Sequence, residues 1–243
     1  MKTLIIDGNN LIHRTYHTAK QQSKRTKTDT PDQVSNFHIY FTLNAINSYV
    51  KQFVPHTTIV VWDEKKEYKV NERKKEYEGR KVIVSVDRDF IQLINEDVTL
   101  YDPIRKIFFE YSNFEECTGY KNVPEWFTAK CLTGDKSDNV PGIPGYGKVK
   151  VNNYLNNNIK LTAQETEIFE RNKDIFSLDK YKSIKAEDDY YKQQLAKTVN
   201  PDYKVFIAFC EEYNFNRILN NKEKWYSLFF MKSLYNKLDD LFA

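Results

Sequence analysis

Apolar positions along this chain come in two spacings, short unbroken runs and longer stripes with helical gaps. Leu4-Ile5-Ile6, Thr58–Trp62 and Val82–Val86 are short β-branched runs bounded by polar residues, the pattern of strands buried in a parallel sheet. They predict strands over 2–6, 58–62 and 81–86. Thr99–Tyr101 and Ile107–Tyr111 predict two shorter strands around Asp102-Pro103. A helix is expected from about Leu11, then a polar loop over 20–32, and Pro31-Asp32 opens a helix over 33–53. In that helix Val34, Phe37, Phe41, Leu43, Ile46, Val50 and Phe53 recur near the 3.6-residue period. Beyond Val123-Pro124 the chain reads mostly as helix, with no internal repeat. The fold class expected is α/β: a mostly parallel central sheet with flanking helices in residues 1–120, followed by a helical region in residues 121–243.

The polar positions that close these runs carry the candidate chemistry. Asp7 ends the first run, Asp63 the second, and Asp87 and Asp89 the third. In open α/β sheets ligands bind beyond the carboxyl ends of the strands, so three such ends gather like charges that cations must neutralise. A further acidic group lies in Gly134-Asp135-Lys136-Ser137-Asp138-Asn139-Val140-Pro141-Gly142-Ile143-Pro144-Gly145-Tyr146-Gly147-Lys148. Here two carboxylates stand three residues apart, ahead of a glycine-punctuated turn where backbone N–H groups approach phosphate without a Cβ in the way. Metal-holding carboxylates beside a phosphate cradle point to chemistry on a phosphodiester. An oxygen-only ligand set favours Mg²⁺ or Mn²⁺ over Zn²⁺.

In this order, Ile6-Asp7-Gly8-Asn9-Asn10-Leu11, Val61-Trp62-Asp63, Ser85-Val86-Asp87-Arg88-Asp89-Phe90 and Gly134–Ile143 resemble the structure-specific 5′ nucleases. These are the flap endonucleases, the phage 5′-exonucleases and the 5′-nuclease domain of bacterial DNA polymerase I, and the resemblance spans residues 1–220. It implies a 5′-nuclease core of the PIN-like type and a site for two divalent ions. Asp7, Asp63, Asp87 and Asp89 would hold one ion, with Asp135 and Asp138 nearer the second. It also implies a helix-hairpin-helix element at about 130–155, with Gly142, Gly145, Gly147 and Lys148 gripping duplex DNA and a K⁺ ion bound there. Arg14 matches a family arginine that meets phosphate. The implied activity is cleavage of 5′-flap, 5′-ended or nicked DNA, or of an RNA–DNA hybrid, in replication or repair.

One stretch departs from the family. Between its second and third aspartate motifs the family carries a Tyr-Lys-x-Asn-Arg motif, a helical arch and a Glu-x-Asp-Asp helix, where this chain has only residues 64–80. Tyr68-Lys69-Val70-Asn71 matches the motif's letters, whereas Glu76-Tyr77-Glu78-Gly79 stands near the family distance from Asp63. Lys69 and Tyr77 are therefore both candidate nucleic-acid contacts. So short a segment suffices for a crossover between parallel strands but not for an arch and a ligand-bearing helix as well. A second expectation follows: a DNA-junction binder of the same fold with impaired catalysis.

Composition adds little to this picture. The formal net charge is only +3, so any electropositive surface must be local. Lys20, Lys24, Arg25 and Lys27 form one basic patch, and residues 64–81 hold eight basic against five acidic side chains. Three cysteines without metal-ligand spacing suggest reduced thiols. With no apolar run able to span a bilayer, the chain is expected to be a cytoplasmic monomer, bacterial or phage-encoded. Gly142–Lys148 also matches the spacing of a nucleotide P-loop, but Val149 replaces the Ser or Thr that would meet Mg²⁺, so no nucleotide cofactor is expected. His13 and His17 stand at i, i+4, with Arg14 where a zinc protease would carry Glu.

Overall fold

The computed structural model describes residues 2–26, 31–62, 79–178 and 202–229. The chain packs as two compact units, residues 1–65 with 185–243, and residues 66–184.

In the first unit β1 (Lys2–Asp7) pairs in parallel with β2 (Thr57–Val61), from Thr3 opposite Thr57 to Asp7 opposite Val61. Leu4, Ile5 and Ile6 are buried. Helix α1 (Gly8–Arg25) begins three residues before Leu11, because Asp7 is both the last strand residue and the N-cap. Its carboxylate accepts from the Asn10 N–H at 2.9 Å, satisfying one orphan donor of the first turn. Gly8 has no room for a side chain, since a Cβ there would lie 2.5 Å from the Trp62 ring. The helix also continues through residues 20–25, which read as loop. Ala19 and Ser23 are buried while Lys20, Gln21, Lys24 and Arg25 stay exposed, a narrow stripe that a mostly polar sequence still supplies. Helix α2 (Pro31–Phe53) packs along α1, with the Thr15 and Thr42 hydroxyls 2.8 Å apart. Helices α7 (Tyr203–Glu212), α8 (Asn216–Leu219) and α9 (Lys222–Phe229) close a cluster of Cys210, Phe215, Ile218 and Trp225 against Ile39, Tyr40 and Leu43 of α2.

In the second unit β3 (Arg80–Val84) pairs in parallel with β4 (Val98–Asp102), which pairs antiparallel with β5 (Ile107–Phe109). The Asp102 carboxylate accepts from the Ile104 and Arg105 N–H groups at 2.9 and 3.0 Å, closing the β4–β5 turn. Strand β3 stops at Val84, two residues short of the apolar run, because the buried Ser85 hydroxyl accepts from the Asp87 N–H at 3.0 Å and turns the chain. Past α3 (Phe114–Thr118) come α4 (Val123–Thr133), the two-residue strands β6 (Gly134–Asp135) and β7 (Val140–Pro141), α5 (Lys148–Leu155) and α6 (Ala163–Phe176). Ala129, Leu132, Ile143, Tyr146 and Val151 form the core of this helical part. Leu132 and Val151 are wholly buried, each contributing roughly 1.5–3 kcal/mol. Among the strands that precede α3, two of the three pairings described are parallel, with helices flanking them, as the apolar pattern implied.

Candidate metal centre

The centre is built from two turns and one helix of the second unit. After β3 the chain enters a 3₁₀ turn, Arg88–Leu93, whose N-cap is Asp87; its carboxylate accepts from the Asp89 N–H at 2.8 Å. The second turn is the β6–β7 hairpin, registered with Gly134 opposite Pro141 and Asp135 opposite Val140. Its reversal uses Asn139 in the left-handed region at φ 56°, which Asn tolerates better than most residues. Gly134 sits at φ +70°, and a Cβ there would lie 2.3 Å from the Gly142 nitrogen. The two glycines pack back to back, so neither position admits a side chain.

This geometry brings Asp89, Asp135 and Asp138 together, with one carboxylate oxygen of each within 4.8 Å of the others. Asp89 and Asp135 are half-buried and Asp138 is exposed. Lys130 of α4 reaches into the group. Its side chain is only 8 % exposed, and its ammonium pairs with Asp89 and, at 3.1 Å, with Asp135. Its position is braced by the Phe176 ring, whose centroid lies 4.5 Å away. Burial pulls the Lys130 ammonium down, but the Asp89 and Asp135 carboxylates outweigh it and hold it above the usual lysine range. Against the opposing effect of burial, the Ser137 hydroxyl and Lys130 lower Asp135 to about 2. Asp138 is pushed up, by burial first and then by the Asp135 and Asp89 charges. With three carboxylates ionised and one ammonium, the group carries two uncompensated negative charges. That charge and an all-oxygen donor set suit a hard divalent cation.

Helix α6 ties both turns in place. Asn172, wholly buried, donates to the Cys131 carbonyl at 2.8 Å and the Pro141 carbonyl at 3.0 Å. Gln92 donates to the Asp89 carbonyl at 3.2 Å and to that of Phe176 at 3.0 Å. The sequence pattern alone does not single out Lys130, Asn172 or Gln92. A lysine amid Trp126, Ala129, Cys131 and Leu132, five residues before Asp135, was the one available signal.

Beyond the hairpin, the chain turns at Gly145 (φ +79°) and enters α5 at Gly147, which supplies no side-chain cap. Gly145, Gly147, Lys148 and Val149 are exposed, Val149 by 76 %. The N–H groups of a helix's first turn and their positive dipole end favour phosphate. Gly142 is half-buried against Thr133. In the first unit Asp7 caps α1, and Arg14 donates to the Asn10 side-chain oxygen at 3.1 Å and the Tyr49 hydroxyl at 2.8 Å. Asp63, Lys69 and Tyr77 lie outside the described residues.

No protein-family model matches the chain. It is 24 % identical over 207 residues to DNA polymerase I of Caldicellulosiruptor bescii, covering 61 % of this chain and 23 % of that protein. It is also 24 % identical over 208 residues to a 5′-3′ exonuclease of Mycoplasmopsis pulmonis, covering 64 % and 66 %. The flap endonuclease Xni of Pseudoalteromonas translucida is 30 % identical over 110 residues, covering 41 % and 42 %. The chain's homologues thus include proteins named 5′-3′ exonuclease and flap endonuclease. Its matches span less than half the length of the first curated relatives. The T5 D15 protein, co-crystallised with metal ions, shares the 5′-nuclease fold with it at a TM-score of 0.52 and 16 % identity, over 74 % of this chain and 91 % of that one.

Proposed function

We propose that the chain is a divalent-metal-dependent 5′-3′ exonuclease and flap endonuclease acting on 5′-ended or branched DNA, or on RNA–DNA hybrids. The observation that carries this reading is the convergence of Asp89, Asp135 and Asp138 within 4.8 Å, followed at once in the chain by an uncapped helix N-terminus. The three carboxylates would hold Mg²⁺ or Mn²⁺, and Asp7, Asp63 and Asp87 are proposed as further ligands, for two ions in all, on the resemblance of their motifs. Bound divalent ions supply an activated water and stabilise charge on phosphate oxygens. Cleavage would add a water oxygen to phosphorus as the P–O3′ bond breaks, leaving a 5′-phosphate and a 3′-hydroxyl. Lys130 keeps Asp89 and Asp135 aimed at one point. The N–H groups at the start of α5, with Gly145, Gly147, Lys148 and a K⁺ ion, would hold a backbone phosphate without reading bases.

On this reading residues 1–120 supply most of the acidic strand ends and residues 121–243 the grip on duplex DNA, in a cytoplasmic monomer. No helix among the described residues is long and apolar enough to cross a membrane. The brevity of residues 64–80 supports a second reading, a junction binder that no longer cuts.

A 5′-flap duplex incubated with Mg²⁺ separates the two. The enzyme reading expects cutting by the unmodified chain, and loss of cutting with binding retained in the Asp135→Asn/Asp138→Asn variant. Tight binding without cutting by both proteins would establish the junction binder instead.

A further inference from the structure

The nuclease reading leaves one pair of metal-ligating side chains unused. His13 and His17 stand at i, i+4 on α1, a spacing that puts both on one helix face. Both are exposed, their ring centroids lie 4.5 Å apart at 66°, and their Nε2 atoms face each other at 3.3 Å. Two nitrogens bound to one zinc at about 2.0–2.1 Å, meeting at the tetrahedral angle, stand about 3.3–3.4 Å apart. The separation in this pair is therefore already that of two ligands on a single ion.

We propose that His13 and His17 form a second metal site, one that takes a borderline divalent transition ion such as zinc or nickel. The surroundings support it. Tyr16 sets its ring edge-on to His17 at 5.8 Å and to His38 at 5.6 Å, which limits the swing of the His17 ring. The His38 Nε2 lies 3.0 Å from the Ile12 carbonyl, so that imidazole is engaged elsewhere and the site has two protein ligands. Water or an incoming anionic oxygen completes the shell. In the metal-free pair one Nε2–H donates to the other Nε2; in the metal-bound pair both imidazoles are neutral and carry their protons on Nδ1.

Two nitrogens and no carboxylate give Mg²⁺ nothing it prefers, whereas imidazole suits zinc and nickel. The chain thus sorts cations by donor chemistry: hard ions at the Asp89, Asp135 and Asp138 group, borderline ions on α1. An ion held by His13 and His17 also cross-links adjacent turns of α1, and a ligand that binds only folded chain raises its stability.

The test titrates nickel chloride into the full chain in excess Mg²⁺, which occupies the carboxylate group and leaves imidazole free, using isothermal calorimetry. One nickel site is expected. His13→Ala and His17→Ala should each weaken it by about tenfold or more, at least the cost of losing a ligand's supporting partner. His38→Ala and Asp135→Asn/Asp138→Asn should leave it intact. Histidine ring resonances of His13 and His17 should shift together during the titration. Since both residues are exposed, circular dichroism should show the variants folded, and His13→Gln provides a second version that keeps the side chain's bulk. An identical isotherm for the unmodified chain and the His13→Ala/His17→Ala protein would overturn the proposal. So would loss of the site in His38→Ala, because the ligand set would then be a different one.

Discussion

Lys130 and Asp135 form an ion pair at 3.1 Å in which the lysine is almost wholly shielded from solvent. The pair sits inside the carboxylate group, so its energetics depend on whatever else the group holds. Removing one partner of a buried pair costs about 3–5 kcal/mol. Here the carboxylates are a quarter exposed, which reduces the expected loss to about 1–3 kcal/mol. Lys130→Met keeps the stem that packs on Trp126 and Phe176 and deletes only the charge. Urea unfolding with EDTA should show that loss, and adding Mn²⁺ should narrow the gap between variant and unmodified chain.

The same pair sets an acid limit. Asp135, lowered to about 2, binds its proton more weakly folded than unfolded, where its range is about 4. Its stabilisation is therefore complete above pH about 4 and is lost as pH falls through about 2. Lys130, raised above the ordinary lysine value, holds its share until pH passes that raised value. Asp138, raised, works against stability at neutral pH. Melting temperatures of metal-free chain and Asp135→Asn should differ most near neutrality and converge toward pH 2. A constant difference across that window would assign the effect to packing alone.

Asn172 offers a test of the splint on α6. Asn172→Ala leaves the buried Cys131 carbonyl without that donor and takes one donor from Pro141, which Arg171 also reaches at 3.0 Å. A loss of about 2–4 kcal/mol is expected from such unmade bonds. Amide exchange should quicken across residues 134–142 while β3 and β4 stay protected.

Two glycines with positive φ should respond differently to alanine. At Gly134 a Cβ meets backbone atoms at 2.3–2.7 Å, so Gly134→Ala should cost more than about 3 kcal/mol. At Gly145 nothing lies within 4 Å, and only the left-handed backbone is penalised, by about 1–2 kcal/mol. Thermal unfolding of the two variants checks the order.

Lys148 is expected to act through charge alone. Lys148→Ala should weaken duplex binding evenly across sequences and reduce the slope of log affinity against log salt by about 1. An unchanged slope would place Lys148 away from the phosphates.

The strand runs and the Asp135–Gly147 motif are legible in the sequence because each carries its own chemistry: β-branched runs, paired carboxylates, a glycine-punctuated turn. A reading by apolar residues begins α1 at Leu11, three residues late, because Asp7 serves two elements. Residues 20–25 read as loop because Ala19 and Ser23, the buried pair, are small and hardly register as apolar. Lys130 was invisible for a related reason. A single lysine in a helix ordinarily faces water, and only the fold shows that its partners lie 41 residues upstream and five downstream. Asn172 and Gln92 act on backbone carbonyls, which leave no trace in side-chain patterns.

The ammonium lodged between Asp89 and Asp135 gives the centre a resident counter-ion of its own. A divalent cation binding there would consequently compete with the lysine for oxygen atoms it already occupies. The affinity of such an ion would be the difference between two tenancies.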